Sequence, residues 1–428
     1  MKKTIGILIF LIILVSADIF AQNFDSDTYG TLSDYFDSIF GTDPNAGLTA
    51  FPILNIPIGG RSEGMAGAFS AVSDDISFIE YNPAGSSMLA RSELGLFHNN
   101  WVGDANVEGL VYANRHGDYL GFGGGIKWLY IPFTEYNFYG ERVASGYYSE
   151  GIAVLNLSRT FFSTYEFAGV SAGINIKAGF RFVPDYTDSN DTGNPKGSLI
   201  PFSGESQSVI TAMADIGLLS RFNLFKFYTS RENNASAALV LRNIGPSVMD
   251  DSLPAALVAG ISYKPIRPLL FSFDFALPIN FEDSSLAESP YWSLGTAVTV
   301  TNFLSMRMGF LGKAGGARIT IGSAIVLDKI ALEINYSLDL MTQMRPLNRV
   351  SLGVRFDLGD NGRAALAARV DELYLLGLDE YRLGNYQNAL DYWEEALVLN
   401  PGFKPAQDAI TIIRSALELQ HRIMNIDY

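Results

Sequence analysis

Alternation of polar and apolar residues is the feature that most constrains the fold of this chain. In residues 349–358, every second position is Val, Leu or Phe, and the intervening positions are Arg, Ser, Gly and Asp. Residues 170–182 and 269–277 repeat this two-residue period. Successive side chains of a strand point to opposite faces, so each segment has one polar and one apolar surface. The pattern predicts β-strands.

Counting these segments indicates a large antiparallel barrel of about 14 strands. The predicted bounds are 92–101, 107–115, 119–133, 150–163, 169–184, 208–222, 235–244, 255–264, 269–277, 291–301, 304–311, 317–327, 330–338 and 349–358. Many are about ten residues long, which suits a tilted strand that crosses a bilayer. Short turns mostly alternate with long loops, as in outer-membrane barrels, although 103–106 is short and 223–234 is long where the rule predicts the opposite.

The first residues predict export. Lys2 and Lys3 precede an apolar run at 5–15, and small residues allow cleavage after Ala21. Residues 1–21 therefore have the features of a secretory signal peptide, and the alternative is a retained membrane anchor. The chain contains no Cys, which excludes a lipoprotein signal and disulfide bonds.

Composition favours a membrane barrel over other exported folds. Hydrophobic residues make up 48% of the chain, yet beyond residue 21 no run of about 18 apolar residues occurs. The apolar residues are instead dispersed in alternation, as they are where one strand face meets lipid. A soluble β-sandwich gives the same alternation and is the alternative fold. The net charge of -15 argues against nucleic acid as a partner.

The segment before the first predicted strand contains glycine-rich and Asn-Pro motifs. Residues 59–69 read Gly-Gly-Arg-Ser-Glu-Gly-Met-Ala-Gly-Ala-Phe, and residues 81–85 read Tyr-Asn-Pro-Ala-Gly. This arrangement resembles the N-terminal hatch of the FadL-like family of long-chain fatty-acid transporters and their PorV/PorQ-type relatives, with Ala66 in place of the commoner Gly. The acidic-aromatic start of the mature chain looks like a spirochaete branch of that family. The residues that match the hatch motif are Gly64, Gly67, Asp74, Asp75, Asn82, Pro83, Ala84 and Gly85.

The resemblance covers roughly residues 50–358 and implies an all-β transmembrane barrel at 91–358, which an N-terminal segment with the hatch precedes at 22–90. Polar residues in phase with the inner face then become lumen candidates. These are Lys177, Arg181, Asp274, Arg307, Glu333, Asn335 and Arg355. We expect them to pair with one another or with the hatch, and the alternative is that they only solvate a pore wall.

After the last strand the period changes to that of helices. Residues 363–428 match one tetratricopeptide repeat followed by a third amphipathic helix at 405–423. The expected packing residues are Leu376, Gly377, Ala389, Trp393, Ala396 and Pro401. One repeat is fewer than the roughly three that a stable solenoid needs, so this α-helical appendix is expected to dock on the barrel rim, on another copy or on a periplasmic protein. A purely structural cap is the alternative.

Catalysis has little support in the sequence. The three histidines are scattered, and no Gly-x-Ser-x-Gly elbow, His-Glu-x-x-His helix or phosphate loop occurs. We therefore expect no enzyme activity, no cofactor and no metal.

Two functions stay open. The first is uptake of hydrophobic small molecules, such as long-chain fatty acids, through a hatch-gated barrel. The second is a scaffold or secretion partner that binds periplasmic or surface proteins without transport. Both place the chain in the outer membrane, in contact with lipid and with its C-terminal helices in the periplasm.

Overall fold

The computed structural model describes residues 26–102, 104–136, 139–164, 167–183, 208–230, 232–340 and 347–424. These residues form two compact units, one with the strands and one with the C-terminal helices. The predicted signal peptide at 1–21 and the whole predicted loop at 185–207 lie outside the described residues. None of the helices within the described ranges is long and apolar enough to cross a membrane.

Within the described ranges, fourteen antiparallel strands close into one barrel, in which β1 neighbours β14. Their bounds are β1 Ser92–Asn100, β2 Asn106–His116, β3 Leu120–Tyr136, β4 Arg142–Phe161, β5 Val170–Phe182, β6 Val209–Phe222, β7 Ala235–Ile244, β8 Ala255–Ile266, β9 Leu269–Ile279, β10 Tyr291–Thr301, β11 Leu304–Lys313, β12 Gly316–Leu327, β13 Ile330–Asp339 and β14 Leu347–Gly359. This confirms the predicted fold class. The largest difference is that β4 begins eight residues before its predicted start, because its pairing with β3 continues through Thr134 and Ser145.

The barrel wall has a polar inner face and an apolar outer face. On β5, the side chains of Ser171, Asn175 and Lys177 are buried inside. The alternate residues Ile174 and Ile176 are exposed outside, the latter at 61%. A water-soluble sandwich buries its apolar face, so this inverted burial excludes the sandwich alternative.

The two ends of the barrel differ in their connections. We call the end with turns 117–119, 267–268, 302–303 and 328–329 the short-turn end, and the opposite end the long-loop end. Connections at the long-loop end include 183–208, 245–254, 280–290 and 340–346. The strand β1 starts at the short-turn end and β14 finishes there. Both predicted exceptions are present, since 101–105 is short at the long-loop end and 223–234 is long at the short-turn end.

From residue 26 to the start of β1, the chain forms helices joined by turns. The helix α1 spans Ser26–Phe40. Four shorter elements follow, namely a 3-10 turn at Pro52–Asn55, α2 at Gly60–Gly64, α3 at Phe78–Tyr81 and a 3-10 helix at Pro83–Met88. We refer to residues 50–90 as the inserted segment.

The C-terminal unit consists of three helices, α4 at Arg363–Arg382, α5 at Tyr386–Leu399 and α6 at Lys404–Met424. The helices match the predicted repeat and the predicted third helix. Their core contains Leu373, Trp393 and Phe403, and Trp393 donates its indole N–H to the Tyr374 carbonyl at 3.1 Å.

Two of the expected packing residues of this unit do not pack. Leu376 is 37% exposed, and the buried position on α4 belongs to Leu373. Leu373 and Gly377 lie four residues apart on the buried face of the helix, so the Leu376 side chain lies beside that face and not within it. Pro401 is exposed in the turn after α5, where its carbonyl accepts a hydrogen bond from Gln407 and Phe403 supplies the apolar contact. The predicted Gly377, Ala389, Trp393 and Ala396 are all buried.

Candidate functional site

The inserted segment lies inside the barrel, as its contacts with the wall glycines demonstrate. A Cβ atom on Gly121 of β3 would lie 2.1 Å from the carbonyl carbon of Ser86. A Cβ on Gly173 of β5 would lie 2.3 Å from the Pro83 carbonyl oxygen, and one on Gly309 of β11 would lie 2.3 Å from the Met65 carbonyl carbon. A segment that touches strands on opposite sides of a closed barrel must occupy its lumen. Glycine permits this close backbone approach because it has no side chain.

The Asn-Pro-Ala-Gly motif fixes the end of the inserted segment. The Asn82 amide donates to the carbonyl oxygens of Ser70 and Leu218 at 2.9 and 3.2 Å, and its Oδ1 accepts the Ala84 N–H at 3.0 Å. The Pro83 carbonyl accepts the Asn156 amide at 2.9 Å. Ala84 and Gly85 are buried behind them. Asn82 thus caps the 3-10 helix and also ties the segment to β6.

The glycine-rich motif packs against β11 to β13. Thr320 of β12 donates its hydroxyl to the Gly64 carbonyl at 3.1 Å, and the Asn335 amide donates to the Gly60 carbonyl at 2.8 Å. A Cβ on Gly64 would lie 2.6 Å from Asn335 Oδ1. Gly67 has a φ of +81° and lies against the Tyr81 ring. At these two positions any other residue would clash or be strained.

A charge cluster joins the inserted segment to β1, β11, β13 and β14. The Arg355 guanidinium lies 3.0 Å from Asp75, 3.3 Å from Glu93 and 3.2 Å from Glu333. Arg307 also contacts Glu333, at 3.2 Å. Buried charges are tolerated when they are paired, and here the pairs connect the segment to the wall.

The acidic pair of the motif is held by Arg61 within the segment. The Arg61 guanidinium contacts Asp74 at 2.5 Å and Asp75 at 3.8 Å. Burial raises the pKa of the Asp74 carboxyl, but the charges of Arg61, Lys264, Arg221 and Arg355 together outweigh burial and leave this pKa below its usual range. Asp74 is therefore ionised at neutral pH.

The other lumen candidates also have partners. Asp274 accepts the backbone N–H groups of Phe69 and Ser70 at 3.1 and 2.9 Å. Lys177 lies 2.7 Å from Asp215 on β6. Arg181 lies 3.0 Å from Glu150 on β4, with its guanidinium 5.1 Å from the centre of the Phe51 ring. Lys177 contacts the wall, whereas Asp274 and Arg181 contact the inserted segment.

A cavity of about 140 Å³ remains between the inserted segment and the strands from β2 to β12. Its apolar lining includes Ile56, Ile58, Ile79, Val154 and Val258. Its polar lining includes Glu80, Lys127, Arg242, Asp274, Tyr291 and Arg318. The cavity has the composition of a small-molecule site, with apolar walls and a few converging polar groups.

Several polar groups of the cavity were not among the sequence candidates. Lys127 on β3 lies 2.5 Å from Glu80, and Arg242 on β7 donates to the Tyr291 hydroxyl at 3.2 Å. Both cations occupy inward-facing positions of their strands, so the alternation of polar and apolar residues could have identified them as lumen residues. Their partners are distant in sequence and only the fold brings them together. Over the described ranges, no group of three or more His, Asp or Glu side chains could hold a metal ion.

Comparison with known proteins matches both units. The sequence model described as "Uncharacterised protein family (UPF0164)" matches residues 37–361, and a tetratricopeptide-repeat model matches residues 370–403. A UPF0164 protein of Treponema pallidum (strain Nichols) is 31% identical over 386 residues, covering 87% of this chain and 84% of the relative. Another from the same organism is 26% identical over 397 residues, covering 88% of this chain and 77% of the relative. The relatives agree with the expected spirochaete branch.

Solved structures with a similar barrel include the toluene transporter TbuX of Ralstonia pickettii, with a TM-score of 0.44 and 14% identity. The similarity covers 73% of this chain and 99% of that one. A FadL homologue of Pseudomonas aeruginosa is similar with a TM-score of 0.40 and 11% identity, covering 69% and 97% of the two chains.

Proposed function

The chain belongs to the UPF0164 family, and we propose that it is an outer-membrane barrel that takes up hydrophobic small molecules, such as long-chain fatty acids, through its lumen. Location in a membrane is supported by the outer face of the barrel, where Leu155, Ile176 and Ile210 are 71%, 61% and 82% exposed. Burying these side chains in lipid removes apolar surface from water, which stabilises the inserted barrel by about 25 cal/mol per Å² of buried surface. The predicted export signal and the β-barrel architecture both support the outer membrane as this membrane.

The observation that carries the proposal is the cavity between the inserted segment and the wall. Apolar side chains from Ile58, Val154 and Val258 line it, and Lys127 and Arg242 supply charged groups. An acyl chain with a charged end needs both kinds of surface. At about 140 Å³ the cavity is smaller than ordinary small-molecule pockets of about 300–1,000 Å³, so passage requires the inserted segment to shift.

Filling the cavity tests this function. Ala256 of β8 lines the cavity, and Ala259 of the same strand is exposed on the outer face. We expect Ala256→Phe to reduce uptake of a radiolabelled long-chain fatty acid several-fold, and Ala259→Phe to leave it unchanged. Both proteins are first checked for insertion by heat-modifiable migration on gels. Equal uptake by the two variants would contradict transport through this cavity.

A second candidate function is protein binding by the C-terminal helices. A groove of about 450 Å³ between α4, α5 and α6 is lined by Tyr374, Leu378, Tyr381, Trp393, Pro405 and Ile412. Tetratricopeptide surfaces commonly bind peptides, and the aromatic lining offers apolar contact area. This favours a scaffold role beside transport or in place of it, with the helices in the periplasm.

Removing the helices separates the two candidates. The strand β14 ends at Gly359, so a chain that stops there retains all 14 strands. For the scaffold role, we expect this truncation to abolish capture of a periplasmic partner in a cross-linking pull-down while fatty-acid uptake continues. Loss of uptake or of barrel assembly with an unchanged pull-down would contradict it.

A further inference from the structure

The helix α1 packs on the outer wall of the barrel. The Phe36 ring lies 5.9 Å from the Phe310 ring, and the Phe40 ring lies 6.2 Å from the Trp292 ring, between centroids. Trp292 pairs with Phe275, which is exposed on the outer face, whereas the next residue, Ser293, is buried inside. The partners of α1 therefore belong to the lipid-facing side of β10 and β11.

These contacts lie at the long-loop end. Trp292 is the second residue of β10, which begins at that end. The Gly41 carbonyl, one residue after α1, accepts the Gly315 N–H at 2.7 Å in the turn between β11 and β12. That turn also belongs to the long-loop end, since β11 starts at the opposite one.

Residues 43–49, which we call the strap, cross the rim on the loop at 280–290. The Asn45 amide donates to the carbonyls of Ser285 and Ala287 at 2.8 and 3.0 Å. Asp43 accepts the Ser289 N–H at 2.7 Å. Directly after the strap, the Ala50 N–H donates to the Ser252 carbonyl at 2.8 Å in the loop between β7 and β8.

The chain then runs down the lumen to the other end. The Ile53 N–H donates to Glu150 of β4 at 3.2 Å, level with Arg181 near the long-loop end of β5. The Ser87 N–H donates to the Ser158 hydroxyl at 2.7 Å, near the short-turn end of the same strand. Only after this passage does β1 begin, at Ser92.

We propose that the N-terminal region threads the barrel, so that α1 and the strap are displayed on the long-loop side of the membrane. The location of this side rests on the proposed function: in an outer-membrane barrel whose short-turn end faces the periplasm, the long-loop side is the cell surface. The strap and the residue that ends β14 then lie on opposite sides of the membrane, although β1 and β14 meet at the short-turn end. Residues 26–49 then form a surface-exposed region that the strand count alone does not predict.

The absence of Cys makes the proposal directly testable by single-cysteine labelling. Leu48→Cys reports the strap, at a position that is 52% exposed. Tyr139→Cys reports the long-loop end at 84% exposure, and Tyr119→Cys reports the short-turn end at 52% exposure. Each variant is treated with a membrane-impermeant maleimide in intact cells and after permeabilisation of the outer membrane, and each must keep heat-modifiable migration. Ala46→Cys, at another exposed position of the strap, replaces Leu48→Cys if that variant does not fold.

We expect Leu48→Cys and Tyr139→Cys to react in intact cells and Tyr119→Cys to react only after permeabilisation. If Leu48→Cys and Tyr119→Cys both react only after permeabilisation while Tyr139→Cys reacts in intact cells, the threading is wrong. If Leu48→Cys and Tyr139→Cys react together, but only after permeabilisation, the threading stands and the orientation assumed for the proposed function is wrong.

Discussion

At the residue scale, glycines of the inner wall set how closely the inserted segment can pack. Gly121, Gly173 and Gly309 each face backbone atoms of the segment at a distance that no Cβ atom tolerates. Glycine usually weakens a strand because it has no side chain to pack, and here the packing is supplied by the segment itself. The three glycines therefore determine where the backbone of the segment can lie against the wall.

Replacing one of these glycines should loosen the segment. We expect Gly121→Ala to cost about 1–3 kcal/mol, because the added methyl group meets the Ser86 backbone. Limited proteolysis of the folded barrel should then cleave within residues 50–90 faster than in the unchanged protein. The control Leu120→Ala changes an adjacent residue that is 38% exposed and should not alter the cleavage rate. Equal protection of both variants would contradict the close packing.

The charge cluster around Arg355 should hold the same segment by electrostatics. Removing Arg355 takes a partner from Asp75, Glu93 and Glu333 while leaving their charges buried. Loss of one member of a buried pair typically costs about 3–5 kcal/mol. We expect Arg355→Ala to lower the temperature at which the heat-modifiable band converts, and Arg355→Ala with Asp75→Asn to recover part of the loss. Arg159→Ala, at an exposed position of β4, is the control. No difference between Arg355→Ala and Arg159→Ala would argue against the cluster.

The position of each residue in the alternating pattern predicted which side chains face the lumen. The alternation predicted which polar side chains face inward, and the structure brings all of them into contacts on the inner face: Lys177, Arg181, Asp274, Arg307, Glu333, Asn335 and Arg355. It did not predict their partners, since Asp274 and Phe69 are about 200 residues apart and meet only when the barrel closes. Lys127 and Arg242 also lie at inward-facing positions of their strands, but they were not among the predicted lumen residues.

At the scale of elements, strands could be predicted where alternation is regular. The strand β4 starts earlier than predicted because residues 142–149, Arg-Val-Ala-Ser-Gly-Tyr-Tyr-Ser, do not alternate clearly. Their strand conformation comes from pairing with β3, which is a long-range effect. In the helical unit, the repeat spacing identified the helices, whereas the choice between Leu373 and Leu376 depended on the helix rotation that tertiary packing selects.

The helical unit should depend on one aromatic residue. Trp393 is buried between α4 and α5 against Gly377, and truncating a buried Trp to Ala typically costs about 3–5 kcal/mol. We expect Trp393→Ala to expose residues 363–424 to protease while the barrel keeps its heat-modifiable migration. Val398→Ala, at a position that is 80% exposed, should leave the helices protected. Helices that resist protease equally in both variants would contradict a core centred on Trp393.

At the scale of the whole molecule, the barrel and its inserted segment depend on each other. Polar side chains of the inner wall find hydrogen-bond donors and acceptors on the segment, as Asn156 does on Pro83 and Thr320 does on Gly64. Without the segment, water would have to satisfy these groups. The fold class and strand order follow from the sequence pattern, but the path of residues 26–90 depends on contacts between distant parts of the chain. For that reason, the sequence alone did not predict the threading.

The central claim is that residues 50–90 close the lumen of a membrane-spanning barrel, and single-channel conductance tests it most directly. Purified full-length protein and a variant that lacks residues 51–90 are reconstituted in planar lipid bilayers, each after heat-modifiable migration has shown that it is folded. We expect the full-length barrel to conduct little and the deletion variant to open a stable channel of much larger conductance, because its lumen then fills with water. The same conductance from both proteins would contradict the claim.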